Sequence, residues 1–206
     1  MNREQLKTSA KTQLGGGIFK SPWLMALLYL VVATAITSAS SIVLVGPIIV
    51  MGPIAYAQCK AFLRVARGEA ANYDLGTLFD GFKDDFGQNL LLGLMTSIFV
   101  CLWSMLFVIP GIIKMYAYSM AFYVKADHPD YDWHQCLNES KRLTDGHKGE
   151  LFVLDLSFIG WLIVGSLACG LGTLWVTPYQ FATKTNAYLY LLSATPAQAI
   201  PVQPEA

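Results

Sequence analysis

The chain has 206 residues, of which 54% are hydrophobic and only 14% charged, and its formal net charge is zero. An ordinary soluble domain carries roughly 25% charged residues, so the composition points to a membrane class. The missing cationic excess argues against a nucleic-acid-binding surface. The cysteines Cys59, Cys101, Cys136 and Cys169 form no CxxC pair, which argues against a disulfide framework or a zinc site.

Charge distribution says more than composition. No charged residue occurs between Lys20 and Lys60, between Asp85 and Lys114, or between Asp155 and Lys184. A membrane-crossing helix needs about 20 mostly apolar residues. The gaps therefore predict an all-α membrane protein with about six transmembrane helices in three helical hairpins. The first predicted span runs over 23–38. Arg3, Lys7, Lys11 and Lys20 precede it and Ala33-Thr34-Ala35 resembles a cleavage site, but the apolar run continues to Cys59, so it is read as a retained span. The second covers 42–59, interrupted by Gly46-Pro47 and by Gly52-Pro53. The third covers 89–109. Pro110-Gly111 then turns the chain, and 112–124 gives a short fourth. The fifth covers 151–168. Gly170-Leu171-Gly172 leads to the sixth, 173–192, with Pro178 inside it, where a missing backbone donor is expected to kink the helix.

Twelve of the lysines and arginines fall before the first span, between the second and third, or between the fourth and fifth. The three opposite turns carry none. The positive-inside rule then puts both termini in the cytoplasm. Amphipathic cytoplasmic helices are expected over 4–14, 75–86 and 133–143, lying in the headgroup layer. Asp132 with Gln135 fits a capping box that starts the last of these. The layout reads as one polytopic domain, 1–193, with repeats at 2–68, 72–126 and 132–193. In each, a proline-bearing return span (Pro53, Pro110, Pro178) is followed by a lysine. The tail, 194–206, reads as disordered.

The stretch Ser140-Lys141-Arg142-Leu143-Thr144-Asp145-Gly146-His147-Lys148-Gly149-Glu150-Leu151, continuing to Gly160-Trp161, is distinctive. It resembles the hallmark of the bacterial membrane family called domain of unknown function 975. Ile109-Pro110-Gly111-Ile112-Ile113-Lys114, Leu78-Phe79-Asp80-Gly81-Phe82 and the region from Gly52-Pro53 to Arg67-Gly68-Glu69 also look similar to it. The resemblance implies a multi-pass protein of the bacterial cytoplasmic (inner) membrane, without an assigned activity. The family looks similar to the membrane domain of some glycerophosphodiester phosphodiesterases. The short first outer loop, near Ser38 to Ser41, departs from longer members.

Candidate site residues are those that a membrane makes costly. Lys184 lies twelve residues past Gly172, about 18 Å along its helix. Asp155 lies five residues past Glu150, about 7 to 8 Å from the other end. In a core about 30 Å thick the two fall within about 5 Å in depth, so they are expected to pair. That pair reads as an interhelical clamp, or as an ion, proton or headgroup site with Gln180, Thr183 and Asn186 beside it; alternatively Lys184 snorkels alone. Lys114, His147 and Lys148 are candidate lipid-headgroup contacts, and Pro53, Pro110, Gly111 and Pro178 are helix-breaking positions. Residues 127–134 hold two histidines and three aspartates, but their spacing fits a helix start better than a metal site. No nucleophile elbow, P-loop, HExxH or dinucleotide fingerprint occurs. The expectation is a non-enzymatic membrane scaffold that organises lipids or a protein partner, as a homo-oligomer or otherwise, with no cofactor. The alternatives are a small transporter or channel component using Lys114 and Lys184, and a lipid-modifying membrane enzyme.

Overall fold

The computed structural model describes residues 3–14, 21–40, 46–70, 73–167 and 171–195. Lys20, Ser41, Cys169, Gly170 and the segment 196–206 fall outside the described residues. What is described is helical, without strands. In chain order the elements are α1 (Arg3–Gln13), α2 (Ser21–Ser40), α3 (Gly46–Ala66), a 3₁₀ helix (Leu75–Phe79), α4 (Asp80–Lys83), α5 (Phe86–Leu106), α6 (Val108–Tyr118), α7 (Ala121–Asp127), α8 (Trp133–Leu143), α9 (Lys148–Leu167) and α10 (Leu171–Ala194).

The long helices fall where the charge gaps put them, but four features differ. The chain does not turn at Pro110-Gly111. It breaks at Phe107, which is extended (φ −156°, ψ 140°), and Pro110 sits in the first turn of α6. A proline is tolerated there because first-turn N–H groups have no intrahelical partner. Gly111 instead brings α6 against α5: a Cβ on it would lie 2.3 Å from Ser104 Oγ and 2.8 Å from Ser104 Cα. The predicted fourth span is two helices, α6 and α7. Ser119 Oγ donates to the Tyr116 carbonyl at 2.8 Å, and the Met120 N–H donates to Ser140 Oγ of α8 at 3.1 Å, out of register with its own helix. The expected amphipathic helix over 75–86 is a 3₁₀ helix followed by the single turn of α4, which ends at the extended Asp84, with Asp85 at φ 46° leading into α5. Asp74 caps the 3₁₀ helix by accepting from Gly76 N at 2.9 Å. Leu171 and Gly172 belong to α10 rather than to a turn.

Two hydrophobic clusters hold the helices together. One gathers Leu92, Tyr123, Cys136, Leu143, Leu154 and Leu191 from α5, α7, α8, α9 and α10. The other gathers Ala10, Tyr29, Phe62 and Ala182 from α1, α2, α3 and α10. Tyr179 of α10 packs against both. The capping box of α8 is present, with Gln135 N donating to Asp132 Oδ1 at 2.6 Å and Asp132 N donating to Gln135 Oε1 at 3.0 Å. Helix α1 does not lie flat and apart. Its Leu6, Ala10 and Leu14 are buried, and Gln13 and Asn186 exchange amide bonds of 2.9 and 3.2 Å.

Lys125 ties α7 to the loop before α8. It is 2% exposed, and its ammonium donates to the Pro129 carbonyl at 2.6 Å and the Tyr131 carbonyl at 2.8 Å, 3.7 Å from Asp85 Oδ2. Lys125→Met keeps the stem but orphans both carbonyls, and is expected to cost about 2 to 3 kcal/mol. Thermal unfolding of the purified protein would show it as a lowered midpoint, and an unchanged midpoint would mean the loop is held elsewhere.

Candidate functional site

One polar cluster is built from three helices. Asp155 projects from the middle of α9 and Lys184 from α10, and Lys184 Nζ lies 3.2 Å from Asp155 Oδ2. Tyr116 of α6 donates its hydroxyl to the same oxygen at 3.2 Å, and Gln180, one turn before Lys184, donates to Oδ1 at 3.5 Å. The side chains of Asp155 and Lys184 are 21% and 37% exposed, so the pair is only partly withdrawn from its surroundings. A carboxylate with two neutral donors and one cationic partner is electrostatically satisfied. Such a group can hold three helices in register, or can exchange a partner for a ligand.

The other residues expected near the pair are otherwise engaged. Thr183 donates back to the Tyr179 carbonyl at 2.7 Å, and Asn186 pairs with Gln13. Two further lysines approach from α1: Lys7 Nζ sits 4.6 Å from the Phe158 ring centre, and Lys11 Nζ 6.0 Å from that of Tyr179. From the sequence, Tyr116 reads with Tyr118 and Tyr123 as part of an interfacial tyrosine belt rather than as a partner of Asp155. Its place two residues after Lys114 does not say which way the ring points.

The candidate headgroup cations have partners within the chain. His147 Nδ1 lies 2.7 Å from Glu150 Oε2, and that hydrogen bond holds the Glu150 carboxyl below its usual range. Lys148 Nζ lies 3.0 Å from Asp145 Oδ1, which likewise lowers the Asp145 carboxyl. Lys114 lies 4.9 Å from the Trp103 ring centre and 5.9 Å from that of Tyr118, a cation held over aromatic faces. Pro53 lies inside α3 and Pro178 inside α10.

A second charged region joins α3 to α7 and α10. Arg67 donates through both terminal nitrogens to Asp127, each bond 2.7 Å, and Tyr188 donates to Asp127 Oδ2 at 2.7 Å. The Asp127 bonds raise the Arg67 guanidinium above its usual value. Lys60 Nζ lies 2.6 Å from Asp84 Oδ2 and 3.2 Å from Asp80 Oδ2. In the segment 127–134, Asp127 and Asp132 are committed to these bonds and to the helix cap, and His128 stacks on Tyr131 with ring centres 4.5 Å apart.

Residues 105–195 match the family model described as protein of unknown function (DUF975). The family resemblance of the stretch 140–161 is thus borne out. No curated protein and no solved structure matches the chain.

Proposed function

We propose, for a chain whose residues 105–195 belong to a family of unassigned function, that it is a multi-pass protein of the bacterial inner membrane that organises lipids or a partner without catalysing a reaction. The observation that carries this reading is the distribution of exposed apolar side chains. Leu102, Met105, Phe107, Val108 and Ile109 around the α5–α6 junction are all more than half exposed, Met105 by 81%, and Leu156, Ile159 and Trp161 extend the belt along α9. Helix α5 is long and apolar enough to cross a membrane, with only 11% of its apolar window buried by the rest of the chain. A water-soluble domain rarely leaves so continuous an apolar surface uncovered, whereas acyl chains cover it at no cost.

In this reading α2 with α3, α5 with α6 and α7, and α9 with α10 are the three hairpins. The cation-rich segments before α2, between α3 and α5 and between α7 and α9 face the cytoplasm. The polar cluster at Asp155 then acts as a clamp, because its groups satisfy one another. Carbonate washing of membranes from expressing cells tests the membrane assignment, and the protein is expected to stay in the pellet. Single cysteines at 39 and 107, placed in a variant lacking the native cysteines, are expected to react with an impermeant thiol reagent from outside intact cells. Cysteines at 69 and 130 are expected to react only after lysis. Release by carbonate, or labelling of all four from outside, would sink the assignment.

A transporter role is the second reading. It is favoured by the partial exposure of Lys184 on a proline-bearing helix. It requires water to reach the pair, so a cysteine at 180 should react with a small aqueous thiol reagent. No reaction from either side removes it.

A further inference from the structure

Where the inner end of α3 meets α7 the surface opens into a cleft of about 240 Å³, lined by Lys60, Leu63, Arg64, Arg67, Glu69 and Asp127 among others. The charges of this cleft divide into spent and unspent. Lys60 is held by Asp84 and Asp80, and Arg67 has both terminal nitrogens on Asp127. The side chains of Arg64 and Glu69 make no hydrogen bond or ion pair among the described residues, although the Glu69 N–H donates to the Arg64 carbonyl at 2.9 Å and the Glu69 charge acts on Arg67. They are one cation and one carboxylate in the same cleft whose side chains have no direct partner. A plain phosphate would satisfy Arg64 and be repelled by Glu69 and Asp127. A plain amine would do the reverse.

From this we infer that the cleft binds a zwitterionic headgroup, a phosphate ester carrying a primary ammonium, with Arg64 on the phosphate and Glu69 on the ammonium. The chemistry of each contact is ordinary: a guanidinium matches phosphate oxygens in a planar fork, and an ammonium donates to a carboxylate. Two helices, α3 and α7, end at the cleft, and carbonyl ends favour a cation there. The size agrees as well. The cleft, about 240 Å³ and open to the surface, is large enough to admit a phosphoethanolamine group. The same group occurs on a phospholipid and on a soluble ester. The position of the cleft beside a membrane surface, which rests on the reading proposed above, selects the phospholipid.

The test uses the full chain in nanodiscs of equimolar phosphatidylethanolamine and phosphatidylglycerol, with retained lipid measured by native mass spectrometry after release. The wild type is expected to retain phosphatidylethanolamine about tenfold over phosphatidylglycerol, the worth of one charged contact. Arg64→Gln should lose both lipids. Glu69→Gln should keep phosphatidylglycerol and lose the preference. Both side chains are exposed and make no side-chain hydrogen bond or ion pair, so neither variant should change folded yield. Equal retention by the wild type and both variants overturns the cleft. Displacement of the lipid by an equal concentration of soluble glycerophosphoethanolamine overturns the lipid source. Release of the protein by carbonate defeats the membrane reading instead, so the two failures are separable.

Discussion

Gly81→Ala is expected to abolish most of the folded yield. Gly81 lies in α4, pressed against the proline-bearing part of α3, and a Cβ there would stand 2.0 Å from the Pro53 carbonyl oxygen and 2.6 Å from its carbon. Both atoms are backbone, so no rotamer change relieves the collision. The contact is fixed from the other side too, because Asn89 donates its amide to the Gly81 carbonyl at 3.1 Å and to the Asp84 carbonyl at 2.6 Å. Asn89 is fully buried, so it cannot swing away. Helices α3 and α5 are equally close beside it, where a Cβ on Gly93 would lie 2.8 Å from Gly52 Cα. One methyl group therefore forces α4, α3 and α5 apart together. The expected cost is at least about 3 kcal/mol, the upper range for overpacking. Gly87→Ala is the control: nothing lies within 4 Å of its Cβ position, and the helix gains up to about 1 kcal/mol. Size-exclusion profiles of the detergent-solubilised proteins read both. A Gly81→Ala protein with the wild-type profile and melting midpoint would mean that the contact between α4 and α3 yields easily.

The Asp155–Lys184 cycle should show the next largest effect. Asp155→Ala leaves Lys184 with no carboxylate and deprives Tyr116 of its acceptor. Lys184→Ala leaves Asp155 with only the neutral donors Tyr116 and Gln180. Removing one partner of a withdrawn ion pair costs more than removing both. Given that Lys184 is 37% exposed, each single change is expected to cost about 2 to 3 kcal/mol, below the range for a fully buried pair. The double alanine variant should be less destabilised than the sum of the two. Melting midpoints in mild detergent decide it. Additive losses would show that the two side chains do not act on each other, and the clamp would fail. If the midpoints move as expected and the charge-reversed pair restores stability, the cluster is structural. If stability returns but growth of a deletion strain under envelope stress does not, the cluster has a second task that depends on which helix carries which charge.

The sequence made the helices visible because charge is costly in an apolar run, and its absence marks where α2, α5, α9 and α10 lie. The same logic brought Asp155 to the depth of Lys184. What escaped it were features decided by a partner far along the chain. Nothing near Met120 announces that its N–H will be taken by Ser140, twenty residues on. Nothing near Tyr116 announces a carboxylate thirty-nine residues away. Pro110 misled for a different reason. A proline marks a boundary without saying which side of it the helix begins, and here the helix begins two residues earlier. The amphipathic stretch 4–14 is expected in the headgroup layer, but an apolar face can meet a lipid surface or another helix, and here Leu6, Ala10 and Leu14 are buried and the stretch meets α10.

The amide pair between Gln13 and Asn186 closes the chain across 173 residues. At about 5 to 20 residues per second, a ribosome needs roughly 10 to 35 s to make the second half of that pair after the first. Throughout that interval α1 has its apolar face made and its main partner unsynthesised. A chain stopped anywhere before α10 must therefore present that face to whatever is nearby, which makes the last helix the closing step of assembly. Truncation from the C-terminal side should accordingly expose α1 to protease before it disturbs the contacts between α5 and α6.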